Sequence, residues 1–136
     1  MTNRWIRRWW PAILMMVLIF VASATPGKEL PGFGYWDVVV KKGGHMTGYA
    51  LLALALLHGL TGGKSISRRH AFLAVILAAL YAVTDEFHQR FTPGRGPSIA
   101  DVGIDTLGAT IGLLVWGWFR GSRTTAVPRG TAAPQQ

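Results

Sequence analysis

The sequence predicts an all-α integral membrane bundle of about four transmembrane helices, and three observations predict it. Half of the residues are hydrophobic, the mean hydropathy is +0.30, and the apolar residues are gathered into four blocks. Only 15% of residues are charged, against roughly 25% in soluble proteins. The ionisable residues fall mainly at the block ends and between the blocks, where a bilayer leaves room for them. At 136 residues the chain has room for one compact domain.

The blocks run from Trp9 to Ala24, Met46 to Leu60, Ala71 to Val83 and Val102 to Phe119. All but the last fall short of the ~20 residues that cross a ~30 Å hydrocarbon core. A helix of ~15 residues reaches only ~22 Å, so each polar flank is expected to continue as helix into the headgroup zone. Helices are therefore expected over about 9–25, 45–61, 71–88 and 100–119, within a membrane domain spanning 1–120. Residues 121–136, rich in Thr, Ala, Pro and Gly, read as a disordered tail. A buried core helix of a soluble protein is the alternative for any one block, but four blocks with almost no polar face argue against it.

The first block has a rival reading as a cleaved signal, with Arg4, Arg7 and Arg8 before an apolar run and Ala22-Ser23-Ala24 as the cleavage site. Trp5, Trp9 and Trp10 instead form the interfacial belt of a retained helix, and retention is the expectation adopted. The net charge of +8 comes from 14 Lys and Arg against 6 acids. Arg at the ends of apolar blocks is the pattern of anionic lipid contacts and topology signals rather than of a nucleic-acid surface, so no nucleic-acid partner is expected. The absence of Cys excludes a disulfide, a thiolate nucleophile and a Cys-ligated metal.

Polar residues within the helices carry the candidate chemistry. His45 and Tyr49 are i and i+4 at the start of the second helix, and Tyr81, Asp85 and His88 share a stripe at the end of the third. Asp101 and Asp105 are i and i+4 at the start of the fourth, and Gly108 and Gly112 continue that stripe. Because successive helices alternate in direction, all these positions lie on one side of the membrane. A charge at mid-bilayer costs about 2.5–3.5 kcal/mol on insertion scales, which pushes the stripes inward, and the Gly-x-x-x-Gly pattern permits close approach. The bland alternative is that Asp85, Asp101 and Asp105 merely pair with Arg90 and Arg95. His58 and His70 fall on the opposite side. The stretch Thr92 to Pro97 reads as a tight turn beside Arg95.

A longer pattern is specific. The run Asp85-Glu86-Phe87-His88-Gln89-Arg90-Phe91-Thr92-Pro93-Gly94-Arg95 is followed by Ser98 to Asp101 and by Thr106-Leu107-Gly108-Ala109. It resembles the VanZ-like family, whose signature runs D-E-x-x-Q-x-F-x-P-G-R, then S-x-x-D-V, then N-T-x-G-A. Lys42, His45 and Tyr49 are similar to the family's K-x-x-H-x-x-x-Y, and Ser23 to Gly27 sits where members carry a short Ser-containing stretch. The resemblance covers about residues 10–118. Asp105 departs from it, replacing the Asn of many members and adding a charge. The resemblance implies a small multi-helix membrane protein of the cell envelope with a link to antibiotic resistance against teicoplanin, and it carries no particular reaction.

The expected function is therefore binding rather than catalysis, with no cofactor and no metal. The expected ligand is an anionic membrane lipid or a lipid-linked cell-wall precursor. Arg95, Arg90 and Lys42 would meet its anionic part, and His45, Tyr49, Asp85, Glu86, His88, Gln89, Asp101 and Asp105 would order those cations or contact sugar and peptide groups. A metal-dependent membrane hydrolase is the alternative, since His45, Asp85, Glu86, His88, Asp101 and Asp105 are N and O donors that Zn²⁺ or Mn²⁺ accepts. Asp85-Glu86-x-x-x-Arg90 also resembles the E-E-x-x-x-R of CAAX-type membrane proteases, without their downstream His motifs. A third class is an assembly partner or homo-oligomer contacting through Gly108 and Gly112.

The N-terminus, the second loop and the C-terminus carry nine Lys and Arg, the other two loops carry five, and all six acids lie in or beside those two loops. The protein is expected in the plasma membrane with both termini cytoplasmic. A reporter active only in the cytoplasm, fused after Gly121, should therefore be active. Robust activity from a reporter that works only outside would reverse the topology.

Overall fold

A computed structural model describes residues 2–24, 37–94 and 96–124, and all regular structure in them is helical. Helix α1 spans Thr2–Ala24, α2 Asp37–Thr61, α3 Arg68–Gln89 and α4 Ile99–Thr124. Three stretches are long and apolar enough to cross a membrane: Asn3–Ala24, Arg68–Gln89 and Ile99–Ser122. Helix α2 is not among them, because Asp37, Lys41, Lys42 and His45 occupy its first turns. Its apolar remainder is instead enclosed by the other helices. It packs against all three of them, most extensively α4, whereas α1 and α4 do not touch among the described residues.

Two starts differ from expectation. Helix α1 begins at Thr2 rather than near 9, and α2 at Asp37 rather than near 45. The polar flanks stay helical because a backbone at the bilayer edge is best satisfied within its own helix. Pro11 lies inside α1 without ending it, as membrane helices tolerate. Helix α4 continues through residues 121–124 of the expected tail, and the rest of that tail lies outside the described residues.

Local chemistry sets the other helix ends. Helix α2 stops at Gly62, whose φ of 58° takes the left-handed conformation that closes a helix, and its N–H bonds the His58 carbonyl at 2.9 Å. Ser67 caps α3 in a reciprocal box with His70. Ser98 caps α4, accepting the Asp101 N–H on Oγ at 3.3 Å.

Cross-helix contacts fix the helix directions. The Arg8 guanidinium donates to the Gly59 and Leu60 carbonyls, so the start of α1 meets the end of α2. Ser23 at the end of α1 meets Asp85 near the end of α3. Lys42 near the start of α2 meets Asp101 near the start of α4. The chain thus runs up, down, up and down, and places the start of α2, the end of α3 and the start of α4 at one end of the bundle.

The interior is built from small residues and polar groups. Ala74, Ala78, Ala82, Asp85 and Gln89 form the buried stripe of α3, facing Tyr49, Leu52, Ala53 and Leu57 of α2 in the core. The bulky apolar residues point outward: Val17 and Leu18 on α1, Phe72, Ile76 and Leu80 on α3, and Leu114 and Trp118 on α4 are all exposed. Such an exterior is suited to lipid, and the small residues let helix backbones approach.

The tightest approach is between α2 and α4. A Cβ on Gly108 would lie 2.5 Å from the Met46 carbonyl oxygen, and one on Gly112 would lie 2.7 Å from the Ala50 Cβ. Both glycines are therefore taken up inside the chain, and a contact with a second copy would have to use another surface. Gly108→Ala should destabilise the bundle by about 1–3 kcal/mol, as overpacking does, because the obstacle is backbone. Gly117, where a Cβ meets nothing within 4 Å, is the control. Thermal unfolding in detergent should show a lower midpoint for Gly108→Ala and an unchanged one for Gly117→Ala.

Candidate functional site

At the end of the bundle where α2 and α4 begin and α3 stops, the helices enclose a cavity of about 270 Å³. Helix α2 contributes Lys41, Lys42 and His45, helix α3 contributes Glu86 and Gln89, and α4 contributes Asp101, Ile104 and Asp105. Gly94 and Gly96 of the α3–α4 turn complete the lining. Helical spacing explains the set: Lys41 and His45 are one turn apart, as are Asp101 and Asp105.

The charges are graded with depth. At the mouth, Lys42 Nζ pairs with Asp101 Oδ1 at 2.8 Å, with side chains 47% and 37% exposed. Exposed pairs of this kind contribute at most about 1 kcal/mol. Deeper, Glu86 is buried and its Oε2 accepts the Ser98 N–H at 2.8 Å, which ties the α4 cap to α3. Deepest on α4 is Asp105, 1% exposed. Its Oδ2 lies 3.8 Å from His45 Nδ1 and accepts no hydrogen bond among the described residues.

Beneath the cavity floor lies a second cluster. Asp85 is buried, and its Oδ2 accepts from Ser23 Oγ at 2.7 Å, from Gln89 Nε2 at 3.3 Å and from the Tyr49 hydroxyl at 3.5 Å. Gln89 Nε2 also lies 3.5 Å from Ser23 Oγ. Three helices therefore supply donors to one carboxylate oxygen, while Asp85 Oδ1 is buried with no hydrogen-bond partner among the described residues. Gln89 both bonds Asp85 and lines the cavity, so it joins the two clusters.

Most residues singled out in the sequence are placed at this end, though not all in one layer. His45, Glu86, Gln89, Asp101 and Asp105 line the cavity, while Tyr49 and Asp85 lie below it. His88 does not join Asp85. Its ring lies against Phe20 of α1 with centroids 4.3 Å apart, because three residues of rotation carry it round to the face that α1 covers. Tyr81 likewise reaches α1, donating to the Met16 carbonyl at 2.5 Å. Arg90 lies over the Phe87 ring and not in the cavity lining, and Arg95 lies outside the described residues. Among the described residues, no group of three or more His, Asp and Glu is placed to hold a metal ion.

Two members were not picked from the sequence as site residues. Ser23 reads there as part of a cleavage site or of the family's Ser-containing stretch, although it is a hydroxyl on the same side of the membrane as Asp85. Lys41 is one turn before His45, a spacing that was available as a signal.

A bond from a hydroxyl to a buried carboxylate contributes about 1.5–3 kcal/mol. Ser23→Ala should therefore lower stability by that order. Combined with Asp85→Asn it should give a double variant milder than the sum, since groups in one network couple by about 0.5–3 kcal/mol. Thermal unfolding of the two single variants and the double variant measures this, and strict additivity would mean that the bond carries no energy.

The model of the VanZ/LLP1 family matches residues 8–120, a span that includes every cavity residue and the Asp85 cluster. No curated protein and no solved structure matches the chain.

Proposed function

The chain belongs to the VanZ/LLP1 family, and from that premise we propose that its polar cavity binds the headgroup of a lipid-linked cell-envelope precursor. Through that binding the protein would influence susceptibility to teicoplanin. The observation that carries the choice of ligand is Asp105, a buried carboxylate on the cavity wall that faces His45 Nδ1 at 3.8 Å and whose Oδ2 accepts no hydrogen bond among the described residues. A buried acceptor without a donor costs about 1–3 kcal/mol or more when charged, so a ligand that donates N–H or O–H groups is favoured there. Lys41 and Lys42 near the mouth suit the anionic part of the same ligand.

This mixed lining refines the choice among headgroups. A simple anionic phospholipid would meet two lysines but also Glu86, Asp101 and Asp105. A precursor that joins a phosphate to sugar hydroxyls or peptide amides answers both signs of charge. With the nine-to-five distribution of basic residues, the cavity would face the outer side of the plasma membrane, where envelope precursors are used.

The test uses the purified full chain and a polyprenyl diphosphate bearing a sugar and a peptide. The wild type should bind it, and Asp105→Asn should weaken binding by roughly tenfold, the loss of about one charged hydrogen bond. Lys42→Ala should weaken binding of the same probe and of the bare polyprenyl diphosphate alike. No binding by the wild type, or unchanged affinity in Asp105→Asn, would overturn the proposal.

A further inference from the structure

The opposite end of the bundle carries a second, chemically different recess. Arg4, Arg7 and Arg8 of α1, with His58 and Gly62 at the end of α2, surround about 380 Å³. Arg4 with Arg7 and Arg8 are i, i+3 and i+4, so one face of α1 presents all three. Among the described residues, no carboxylate lines the recess. Asp85, Glu86, Asp101 and Asp105 all lie at the other end.

Arg8 is not a loose surface charge. Its guanidinium donates to the Gly59 and Leu60 carbonyls, where the last turn of a helix is electronegative. Gly62 makes room for it: a Cβ there would lie 2.9 Å from Arg8 Cζ, and its φ of 58° already disfavours any side chain. Arg8 thus forms a fixed floor, and the exposed Arg4 and Arg7 stand beside it. Three guanidiniums with no acid among them repel one another unless an anion sits between them. Trp5 and Trp9, whose rings are 6.3 Å apart on the same helix segment, mark this level as the membrane interface.

We propose that this recess is a binding site for a phosphate group, supplied by an anionic membrane lipid. Guanidiniums meet phosphate oxygens in paired hydrogen bonds that an ammonium does not reproduce. The site is independent of the polar cavity and does not rest on the function proposed for it.

The full chain in neutral detergent is titrated with short-chain phosphatidylglycerol, and separately with short-chain phosphatidylcholine and with inorganic phosphate, following the unfolding midpoint. Phosphatidylglycerol should raise the midpoint and phosphatidylcholine should not. An added response to inorganic phosphate would mean that the phosphate group itself is read, and its absence that the lipid is needed. Arg4→Gln with Arg7→Gln should weaken the phosphatidylglycerol response by roughly thirtyfold in midpoint concentration, about one basic contact each. Arg68→Gln with Arg69→Gln removes the same charge from the exposed start of α3 at this end and should weaken it only a few-fold. Equal losses in the two pairs would reduce the effect to general surface charge and overturn the site, as would no response to either anion.

Discussion

The contact on which the rest of the bundle depends is the Asp85 carboxylate with its donors. Ser23 of α1, Tyr49 of α2 and Gln89 of α3 all aim at Oδ2, so one buried oxygen connects three of the four helices. Helices within lipid gain little from burying apolar surface against each other, because lipid tails are as apolar as leucine. Packing of small residues and shared polar groups must then hold the bundle. The alanine stripe of α3 supplies the first and Asp85 the second.

Helix α4 is joined by another device. Gly108 and Gly112 let it settle onto the Met46 and Ala50 backbone of α2, and Ser98 and Glu86 link its cap to α3. That approach brings Asp101 and Asp105 opposite Lys42 and His45. The cavity is thus a consequence of packing: it opens where the glycine contact gives way to the polar first turns of α2 and α4. A side chain at 108 would act on the cavity without lining it.

Much of this was legible because lipid restricts what a sequence can do. The apolar blocks announce helices, and carboxylates beside them have no stable place but inward. Alternation of direction then gathers Asp85, Glu86, Asp101 and Asp105 at one end. Rotational detail was less legible. Asp85 and His88 share a stripe on α3, yet His88 ends against Phe20, because where α1 crosses α3 is not written in the periodicity of α3. That the polar flanks stay helical was legible, but how far they extend, to Thr2 and Asp37, was not, because charged residues at a bilayer edge carry no apolar pattern. Ser23 was ambiguous on its own terms, since a small hydroxyl between two alanines serves a cleavage site and a helix contact equally well.

The position of Ser23 in the bundle bears on that ambiguity. Helix α1 is tied to the others at three levels: Arg8 to the end of α2, Met16 to Tyr81, and Ser23 to Asp85. A chain cut after Ala24 would lose all three. Asp85 would keep only the longer bonds from Gln89 and Tyr49, with Oδ1 already unpartnered among the described residues. A carboxylate so placed is costly in a membrane interior. Helix α1 thus contributes to both ends of the bundle, Ser23 at the carboxylate end and Arg4, Arg7 and Arg8 at the arginine end.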